Sequence, residues 1–401
     1  MSFAADAHAL RDSLVSLRRD LHREPEIGLD LPRTQRRIVD ALGGLGLEIT
    51  LGRACSSVTA VLRGGRPGPA VLLRGDMDGL PMAEQTGLDY AAANGAMHAC
   101  GHDLHMAGLV GAARLLAARR DELPGAVVFM FQPGEEGFGG ARIMLDEGVL
   151  DAAGPRVAAA YGVHVATGAP GVFTTRPGPF MAGSNELEIT IHGRGGHGSR
   201  PHAAVDPVPA LLETGLALQT MVTRRFSVFD PVVVTVTQLS AGAARNVIPS
   251  RASLGATVRT LSLASVDALR TETTRLAEGI ASAHGCTAEV RFDVDYPVTV
   301  NDPAEAAFAQ QVATDLFGEA RFELAADPLM GSEDFSYVLD QVPGAYLFVG
   351  CTPPERDWTS EPWNHSPLVV FDDAVVPDQA ALLAELAWRR LHRDDTPARA
   401  S

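Results

Sequence analysis

The stretch AVLLRGDMDG, Ala70–Gly79, decides the fold class of this sequence because it joins a buried strand to a polar turn with two aspartates. Two further apolar strands follow it, AVVFMFQ at 126–132 and VAAAYGVHV at 157–165, and a helical stretch at 103–120 separates the first two. Continuous apolar strands separated by helices are typical of a mostly parallel sheet with helices on both faces. The sequence therefore predicts an α/β domain.

A second pattern occupies the middle of the chain. In NELEITIHG, at 185–193, apolar and polar residues alternate, which is typical of a half-exposed strand. A helix, two strands, a second helix and the alternating strand CTAEVRFDVDY at 286–296 follow it in that order. This order predicts a ferredoxin-like antiparallel sheet with helices on one face. We therefore expect a small domain at 183–296, inserted into a larger α/β domain that comprises residues 1–182 and 297–401.

Composition restricts the partners that the protein can have. The 401 residues include 33 Lys and Arg against 49 Asp and Glu, a formal net charge of −16. Such a balance argues against nucleic acid or an anionic membrane surface as a partner. The sequence shows no signal-peptide core and no apolar stretch long enough to span a membrane. Few and widely separated cysteines indicate free thiols in a reducing cytoplasm, and they are Cys55, Cys100, Cys286 and Cys351.

Chemically active side chains follow the predicted strands. Asp76 and Asp78 follow the first strand, Glu135 and Glu136 follow the second, and His164 lies near the end of the third. In open α/β sheets the binding crevice lies at the carboxyl ends of the strands. These five side chains are therefore expected at one edge of one sheet.

The stretch MHACGHDLHMA at 97–107 adds Cys100 and His102 just before a helix, and NHSP at 364–367 adds His365. A metal site, a cysteine nucleophile paired with histidine, and an inert polar turn are the three interpretations. Cysteine, histidine and glutamate are all good ligands for zinc or manganese, which favours the metal site. A catalytic thiolate needs a base and an oxyanion site, whereas several neighbouring carboxylates do not serve it. The nucleophile interpretation is therefore weaker.

Nine segments together resemble a known family, and the resemblance covers nearly the whole chain. They are LRRDLHREPEIG (17–28), RGDMDGLPM (74–82), HACGHDLHMA (98–107), FQPGEEGFGGA (131–141), GVHV (162–165), GRGGHGSRPHAAVDP (193–207), NVIPS (246–250), GSEDFSYVL (331–339) and NHSP (364–367). The chain resembles the dinuclear metal-dependent amidohydrolases that cleave N-acyl amino acids: hippurate hydrolases, bacterial aminoacylases and plant auxin-conjugate hydrolases. They form one branch of a larger metallopeptidase family of carboxypeptidases and deacylases. The resemblance implies a zinc-aminopeptidase-like α/β fold whose inserted domain serves as a lid and for dimerisation.

The resemblance also implies two divalent metal ions per chain, zinc or manganese first and cobalt or nickel as further candidates. Their ligands would be Cys100, His102, Glu136, His164 and His365, with the Cys100 thiolate bridging the ions. Glu135 is the implied general base, which takes a proton from a metal-activated water that attacks the amide carbonyl. Most of the wider family carries His-x-Asp where this chain has Asp76-Met77-Asp78. Asp78 is therefore expected to orient a neighbouring ligand, and Asp76 is a poor candidate for a direct one.

The inserted domain carries further residues implied by the resemblance. His197 lies in a glycine-rich turn and is expected to stabilise the developing oxyanion, often in the active site of a partner subunit. Asn246 is expected to hold the substrate, most simply at its free carboxylate, and Arg259 to assist. The expected assembly is a homodimer joined through this domain.

An N-acyl-amino-acid amidohydrolase is thus the leading functional hypothesis. The alternatives are a dipeptidase or carboxypeptidase on the same scaffold, and a silent metal-binding or interaction protein, which would be expected to lose the base Glu135. Outside the ligand set, His98 and His105 are expected to pack or to support ligands, and His22 to be structural. Asp334 in GSEDF is expected either to cap a helix or to contact substrate.

Overall fold

Helices and strands alternate along the chain, and the computed structural model describes residues 2–393. Within them the helices are α1 (Ala4–Ala9), α2 (Arg11–His22), α3 (Pro32–Ala41), α4 (His102–Ala117), α5 (Gly140–Asp146), α6 (Pro207–Arg225), α7 (Leu263–Ala283), α8 (Pro303–Phe317), α9 (Ser336–Leu339) and α10 (Val375–Arg393). The strands are β1 (Glu48–Leu51), β2 (Val58–Arg63), β3 (Arg66–Asp76), β4 (Pro124–Gln132), β5 (Val157–Ala166), β6 (Phe173–Thr175), β7 (Gly178–Met181), β8 (Gly183–His192), β9 (Gly196–His197), β10 (Val233–Ala241), β11 (Val247–Ile248), β12 (Arg251–Thr260), β13 (Thr287–Tyr296), β14 (Thr299–Asn301), β15 (Phe322–Leu324) and β16 (Gly344–Gly350). None of the helices in this described part has both the length and the apolar character that a membrane span requires.

The chain divides into two compact units. The first contains the residues up to Phe180, Val300–Asp327 and the residues from Asp334 onward, and the second contains Met181–Thr299 and Pro328–Glu333. The domain boundaries predicted after residues 182 and 296 fall close to two of these divisions. The segment Pro328–Glu333, which the sequence assigned to the larger domain, groups with the second unit because Leu329 forms a parallel bridge with Met181.

The first unit is built on an eight-stranded sheet with the order β1-β2-β4-β3-β5-β16-β6-β15. Its four central strands, β4, β3, β5 and β16, run parallel to one another. At one side β2 is antiparallel to β4 and β1 is antiparallel to β2, and at the other side β6 is antiparallel to β16. The predicted α/β class with a mostly parallel sheet is confirmed. Carboxyl ends of the parallel strands therefore lie together at one edge.

The core of this unit explains the apolar runs in the sequence. Strands β3, β4 and β5 are buried over nearly all of their length, as expected for central parallel strands covered by helices. Helix α4 is buried on almost every side and packs against α2, α10 and β3. A helix that is apolar all round belongs in a protein interior, which places the amino terminus of α4 inside the unit.

The second unit contains a four-stranded antiparallel sheet with the order β10-β12-β8-β13. Chain order and sheet order together are those of a ferredoxin-like unit, as predicted. The burial pattern of β12 shows that one face of this sheet is covered. Its buried residues alternate with more exposed ones, and they are Ala252, Leu254, Ala256 and Val258. The buried side chains belong to the same core as apolar residues of α6 and α7, so those helices cover one face of the sheet.

Candidate metal centre and active site

The structure brings the five predicted metal ligands together at the carboxyl edge of the central sheet. The Cys100 sulfur lies 3.4 Å from His164 Nε2 and 3.2 Å from His365 Nε2. Glu136 Oε1 lies 3.1 Å from His365 Nε2 and 3.9 Å from His102 Nε2. Five side chains from four separate segments thus converge on one small volume.

These side chains form two groups of possible ligands that share one sulfur atom. Cys100 belongs to a group with His102 and His164 and to a second group with Glu136 and His365, and within each group the ligand atoms lie within 4.8 Å of one another. Both ring nitrogens of His102 are buried and have no hydrogen-bond partner among the described residues. A buried polar atom without a partner is costly, and coordination would satisfy it. The donors present therefore fit divalent ions of borderline softness.

A left-handed glycine sets the turn between Cys100 and His102. Gly101 has φ +84°, and a Cβ there would lie 2.2 Å from Val165 Cγ2. Only glycine tolerates both the conformation and the close approach. Because α4 begins at His102, this turn joins the two ligands at the helix end, and their ligand atoms lie within 4.8 Å of each other.

The segment that carries His365 is strained and firmly anchored. His365 has φ 70°, and it is the one non-glycine residue of positive φ in residues 2–393. Its backbone N–H donates to Ala99 O at 2.9 Å, and the Asn364 amide donates to Val165 O at 3.0 Å. Non-glycine residues adopt this conformation mainly where surrounding contacts impose it, often at functional sites. Asn364 was not singled out from the sequence, although the NHSP segment contains it.

Asp78 links the two glutamates to the metal-ligand cluster. Its Oδ1 accepts the backbone N–H of Glu135 and its Oδ2 that of Glu136, each at 3.0 Å. Asp78 Oδ1 also lies 3.5 Å from His102 Nδ1. The carboxylate is almost completely buried, so it holds the turn of Glu135 and Glu136 in a defined position beside His102.

Asp76 and His105 form a hydrogen-bonded pair behind this cluster. Asp76 Oδ1 lies 2.5 Å from His105 Nδ1, and Asp76 Oδ2 accepts from Arg74 at 2.6 Å. His105 Nε2 accepts the backbone N–H of Val165 at 2.8 Å, so the proton of the neutral ring lies on Nδ1. Both nitrogens of His105 and both oxygens of Asp76 thus have protein partners. Together with His102 they form another group of possible ligands, whose atoms lie within 4.8 Å of one another, so the exclusion of Asp76 and His105 as direct ligands stays a prediction.

The electrostatics of the cluster suit a cation. Hydrogen bonds to Cys100 and Glu136 raise the pKa of His365 to about 10. Burial raises the pKa of the Cys100 thiol, and the neighbouring Glu136 carboxylate raises it further. The anionic neighbours of His365 stabilise its positive charge, whereas burial and the Glu136 carboxylate disfavour the negative charge of a Cys100 thiolate. A divalent cation that replaces these protons would meet the same attraction.

In the second unit, His197 lies on a two-stranded sheet and Asn246 directly precedes the other strand of that sheet. His197 in β9 pairs with Val247 in β11, and Asn246 O accepts the backbone N–H of Gly198 at 2.8 Å. His197 Nδ1 accepts the backbone N–H of Ser199 at 3.2 Å. The proton of the neutral ring therefore lies on Nε2, at the exposed end of the side chain.

Arg259, the third predicted residue of the second unit, occupies a different element. It lies on β12, where its guanidinium donates to Thr257 Oγ1 at 2.8 Å and to Val258 O at 3.1 Å. Within the second unit its donors are thus partly used by its own strand. The structure gives no separate support for a substrate contact by Arg259.

His22 belongs to a buried ionic network behind α4. Its Nδ1 lies 2.8 Å from Asp103 Oδ2 and its Nε2 lies 3.1 Å from Glu84 Oε2, while Arg18 Nε lies 2.7 Å from Asp103 Oδ2. With a carboxylate at each nitrogen, the ring is placed to carry both protons. The network joins α2 to the first turn of α4, which begins at His102. This position fits the structural role expected for His22.

Comparisons with known proteins identify a family and several similar proteins. The sequence profile described as peptidase family M20/M25/M40 matches residues 72–389. The chain is 35% identical to thermostable carboxypeptidase 1 of Saccharolobus solfataricus, over 95% of this chain and 96% of that protein. It is also 35% identical to N-acetylcysteine deacetylase of Bacillus subtilis, over 94% of this chain and 97% of that protein. A solved structure of a dinuclear metal-binding M20 peptidase from Bacillus subtilis has a TM-score of 0.82 and 33% identity and covers 96% of this chain and 99% of its own.

Proposed function

Because the chain belongs to peptidase family M20/M25/M40 and is a metal-dependent hydrolase acting on amides, we propose that it cleaves N-acyl amino acids to a carboxylic acid and a free amino acid. One observation carries this proposal: Glu135 lies beside two groups of possible metal ligands that share the Cys100 sulfur. The similarity to a deacetylase of an N-acyl amino acid supports the same substrate class. The presence of Glu135 argues against the catalytically silent alternative.

The two groups of side chains would hold two divalent ions. We assign Cys100 as the bridging ligand, with His102 and His164 on one side and Glu136 and His365 on the other. The overlap of the groups at Cys100 supports this division. When bound, such ions supply Lewis acidity that acidifies water and polarises an amide carbonyl. The mixture of sulfur, nitrogen and oxygen donors suits zinc or manganese, and cobalt and nickel are to be tested beside them.

Glu135 is placed to move the proton in this reaction. Its carboxylate is mostly buried, and one of its oxygens lies within 4.8 Å of ligand atoms of His102 and Glu136. We assign it the removal of a proton from the attacking water and the delivery of that proton to the leaving amine nitrogen. Asp78 keeps the carboxylate in place through the backbone N–H groups of Glu135 and Glu136.

Three residues of the second unit are assigned roles toward the substrate. His197 carries its proton on Nε2, so it can donate a hydrogen bond to the oxygen that becomes negative as the carbonyl is attacked. Asn246, whose backbone oxygen accepts the N–H of Gly198 next to His197, is assigned to the free carboxylate of the substrate. Arg259 is retained as a helper on charge alone, since a guanidinium suits a carboxylate.

We also propose that the protein is a homodimer joined through the second unit. Strand β10 is an outer strand of the four-stranded sheet and has one unpaired edge. The neighbouring helix α6 exposes Leu212 and Leu216, and the residues from its end to β10 expose Phe229 and Val233. An open strand edge beside exposed apolar side chains favours pairing with a second copy. A reducing, cytoplasmic location is proposed because all four cysteines are free and buried.

A carboxypeptidase or dipeptidase is the alternative function, and the similarity to the Saccharolobus carboxypeptidase favours it. The two functions use the same chemistry on the same bond type. They differ in the group on the nitrogen of the terminal amino acid, which is an acyl group in one case and a peptide in the other. Only the relative rates on the two kinds of substrate separate them.

A substrate panel tests the proposed function. Metal-depleted protein is reloaded separately with Zn²⁺, Mn²⁺, Co²⁺ or Ni²⁺ and assayed on N-acetyl, N-benzoyl and indole-acetyl amino acids and on dipeptides. We expect N-acyl amino acids to be the better substrates and the depleted protein to work at no more than about a tenth of the best reloaded rate. A higher kcat/KM on every dipeptide would favour the peptidase alternative, and full activity without metal would contradict both functions.

The Cys100→Ala variant tests the bridging assignment. Loss of the shared sulfur removes a ligand from both groups, so we expect the affinity for the added metal to fall by at least about 10-fold. Metal content after dialysis and titration of the metal into the depleted protein measure this change. Cys286→Ala is a matched control, because that buried thiol lies in the second unit and should leave metal content unchanged. Two tightly bound ions in Cys100→Ala would refute the assignment.

A further inference from the structure

Asp334 joins the two ends of the loop that carries Glu135 and Glu136, residues 133–140, here called the glutamate loop. The Gln132 amide, at the end of β4, donates to Asp334 Oδ1 at 2.7 Å and to Oδ2 at 2.8 Å. At the other end of the loop, the backbone N–H of Ala141 in α5 donates to Asp334 Oδ2 at 2.9 Å. The Asp334 carboxylate is fully buried. One side chain from a distant part of the chain thus closes the loop at its base.

Arg74 provides the positive charge that this buried carboxylate requires. Its Nη2 donates to Asp334 Oδ1 at 3.1 Å, and its Nε donates to Gln132 Oε1 at 2.9 Å. Its Nη1 donates to Asp76 Oδ2 at 2.6 Å and to Tyr346 Oη at 3.0 Å. A buried carboxylate is tolerated when it is paired and hydrogen-bonded, and Arg74 and Gln132 meet that condition together.

The glutamate loop is also closed on itself and held in its middle. Gly140 N donates to Gly134 O at 3.2 Å, and a Cβ on Gly140 would lie 1.6 Å from Pro133 O. Between these points Asp78 accepts both glutamate N–H groups, as described above. Asp78 fixes the middle of the glutamate loop, and Asp334 fixes its two ends. The loop therefore has little freedom to move relative to the ligand cluster.

We propose that Asp334 and Gln132 are positioning residues for the amide hydrolysis, which act through the glutamate loop. This inference rests on the proposed roles of Glu135 as base and Glu136 as ligand. A loosened loop would misplace the base, which lowers kcat, and would misplace a ligand, which weakens metal binding. Substrate affinity depends on other residues and should change little.

Two variants test the proposal. Gln132→Met removes the link from β4 to Asp334 but keeps the Arg74–Asp334 pair, while Asp334→Asn removes the charge and one acceptor. For each metal-loaded variant we expect kcat to fall by about 10-fold or more, KM to change by less than about 3-fold, and the affinity for added Zn²⁺ or Mn²⁺ to fall by about 10-fold. Hydrogen exchange at residues 133–141 of the metal-free protein should become faster than in the wild type.

Glu305→Gln is the matched control. Glu305 is another buried carboxylate of the first unit, bound by Tyr161 and by Arg390, and it lies outside the ligand cluster. It should lower Tm without changing kcat or metal affinity. The same loss of kcat in Glu305→Gln would show that reduced stability explains the effect, and this would overturn the proposal.

The Glu135→Gln variant distinguishes the positioning role of Asp334 and Gln132 from the proposed function. If it is inactive while Gln132→Met and Asp334→Asn have wild-type kcat, metal affinity and exchange rates, the positioning role is overturned and the proposed function stands. If Glu135→Gln is fully active, the role of Glu135 as base is overturned together with the positioning role that rests on it, while hydrolysis of N-acyl amino acids itself stands. Should Asp334→Asn fail to fold, Gln132→Met carries the test alone, because it keeps the buried ion pair.

Discussion

The Glu135→Gln variant is expected to keep its metal ions and its substrate affinity while turnover falls by at least about 100-fold, the lower end for a positioned acid–base group. The amide has nearly the shape of the carboxylate but cannot accept a proton at neutral pH. The backbone N–H of residue 135 remains bound to Asp78, so the glutamate loop should keep its conformation. Steady-state kinetics on an N-acyl amino acid, together with metal analysis of the same preparation, measure the effect.

The neighbouring Glu136→Gln variant is a demanding control. The two side chains are adjacent, equal in size and equal in charge, but Glu136 belongs to a ligand group with Cys100 and His365. Replacement of Glu136 should lower the metal content, and turnover should fall only because metal is lost. Excess metal should therefore restore part of the rate. Unchanged turnover in Glu135→Gln would eliminate this residue as the base. Equal metal loss in both variants would show that the two roles are not separate.

The fold could be predicted because its central elements are marked by continuous patterns. Burial on both faces explains the continuous apolar runs of β3, β4 and β5. Burial on one face explains the alternation of apolar and polar residues in β12. The partner of a strand is not encoded in this way. The antiparallel β1 and the grouping of Pro328–Glu333 with the second unit depend on which strand edge is free after folding.

The site was predictable as far as its residues lie in short motifs. Cys100 and His102 are fixed by a local turn that needs Gly101, and the sequence displays all three together. The partners of Asp334 are different, because Gln132 and Arg74 lie 202 and 260 positions away in the chain. Nothing in a local pattern indicates which buried carboxylate will meet which donor. The sequence offered a helix cap or a substrate contact for Asp334, and the structure shows it supporting the Ala141 end of another helix.

The conformation of His365 was also beyond sequence reasoning. A positive φ is expected at glycine or asparagine, and the preceding Asn364 would have been the natural choice. In the structure, the Asn364 side chain donates to Val165 O, and His365 has the positive φ. This arrangement arises from contacts with Ala99 and Val165, which the chain order does not reveal.

The His197→Ala variant is expected to lose about 100-fold or more in turnover while it keeps its metal ions, because a donor to the developing oxyanion acts on the transition state. The residue lies in the second unit, and every proposed metal ligand lies in the first. If the homodimer forms through the second unit as proposed, His197 can serve the metal site of the partner chain. His202→Ala is a matched control, since that exposed histidine lies five positions away in the same segment.

Mixing His197→Ala with Glu135→Gln decides which chain's site His197 serves. Each variant alone has no site with both residues intact. In a mixed dimer with a shared site, the Glu135 of one chain meets the His197 of the other, and one complete site forms. After random exchange of equal amounts, half of the dimers are mixed, so about a quarter of the wild-type rate should return. A mixture that stays inactive after subunit exchange has been verified would place His197 in its own chain's site, because then every site lacks one of the two residues.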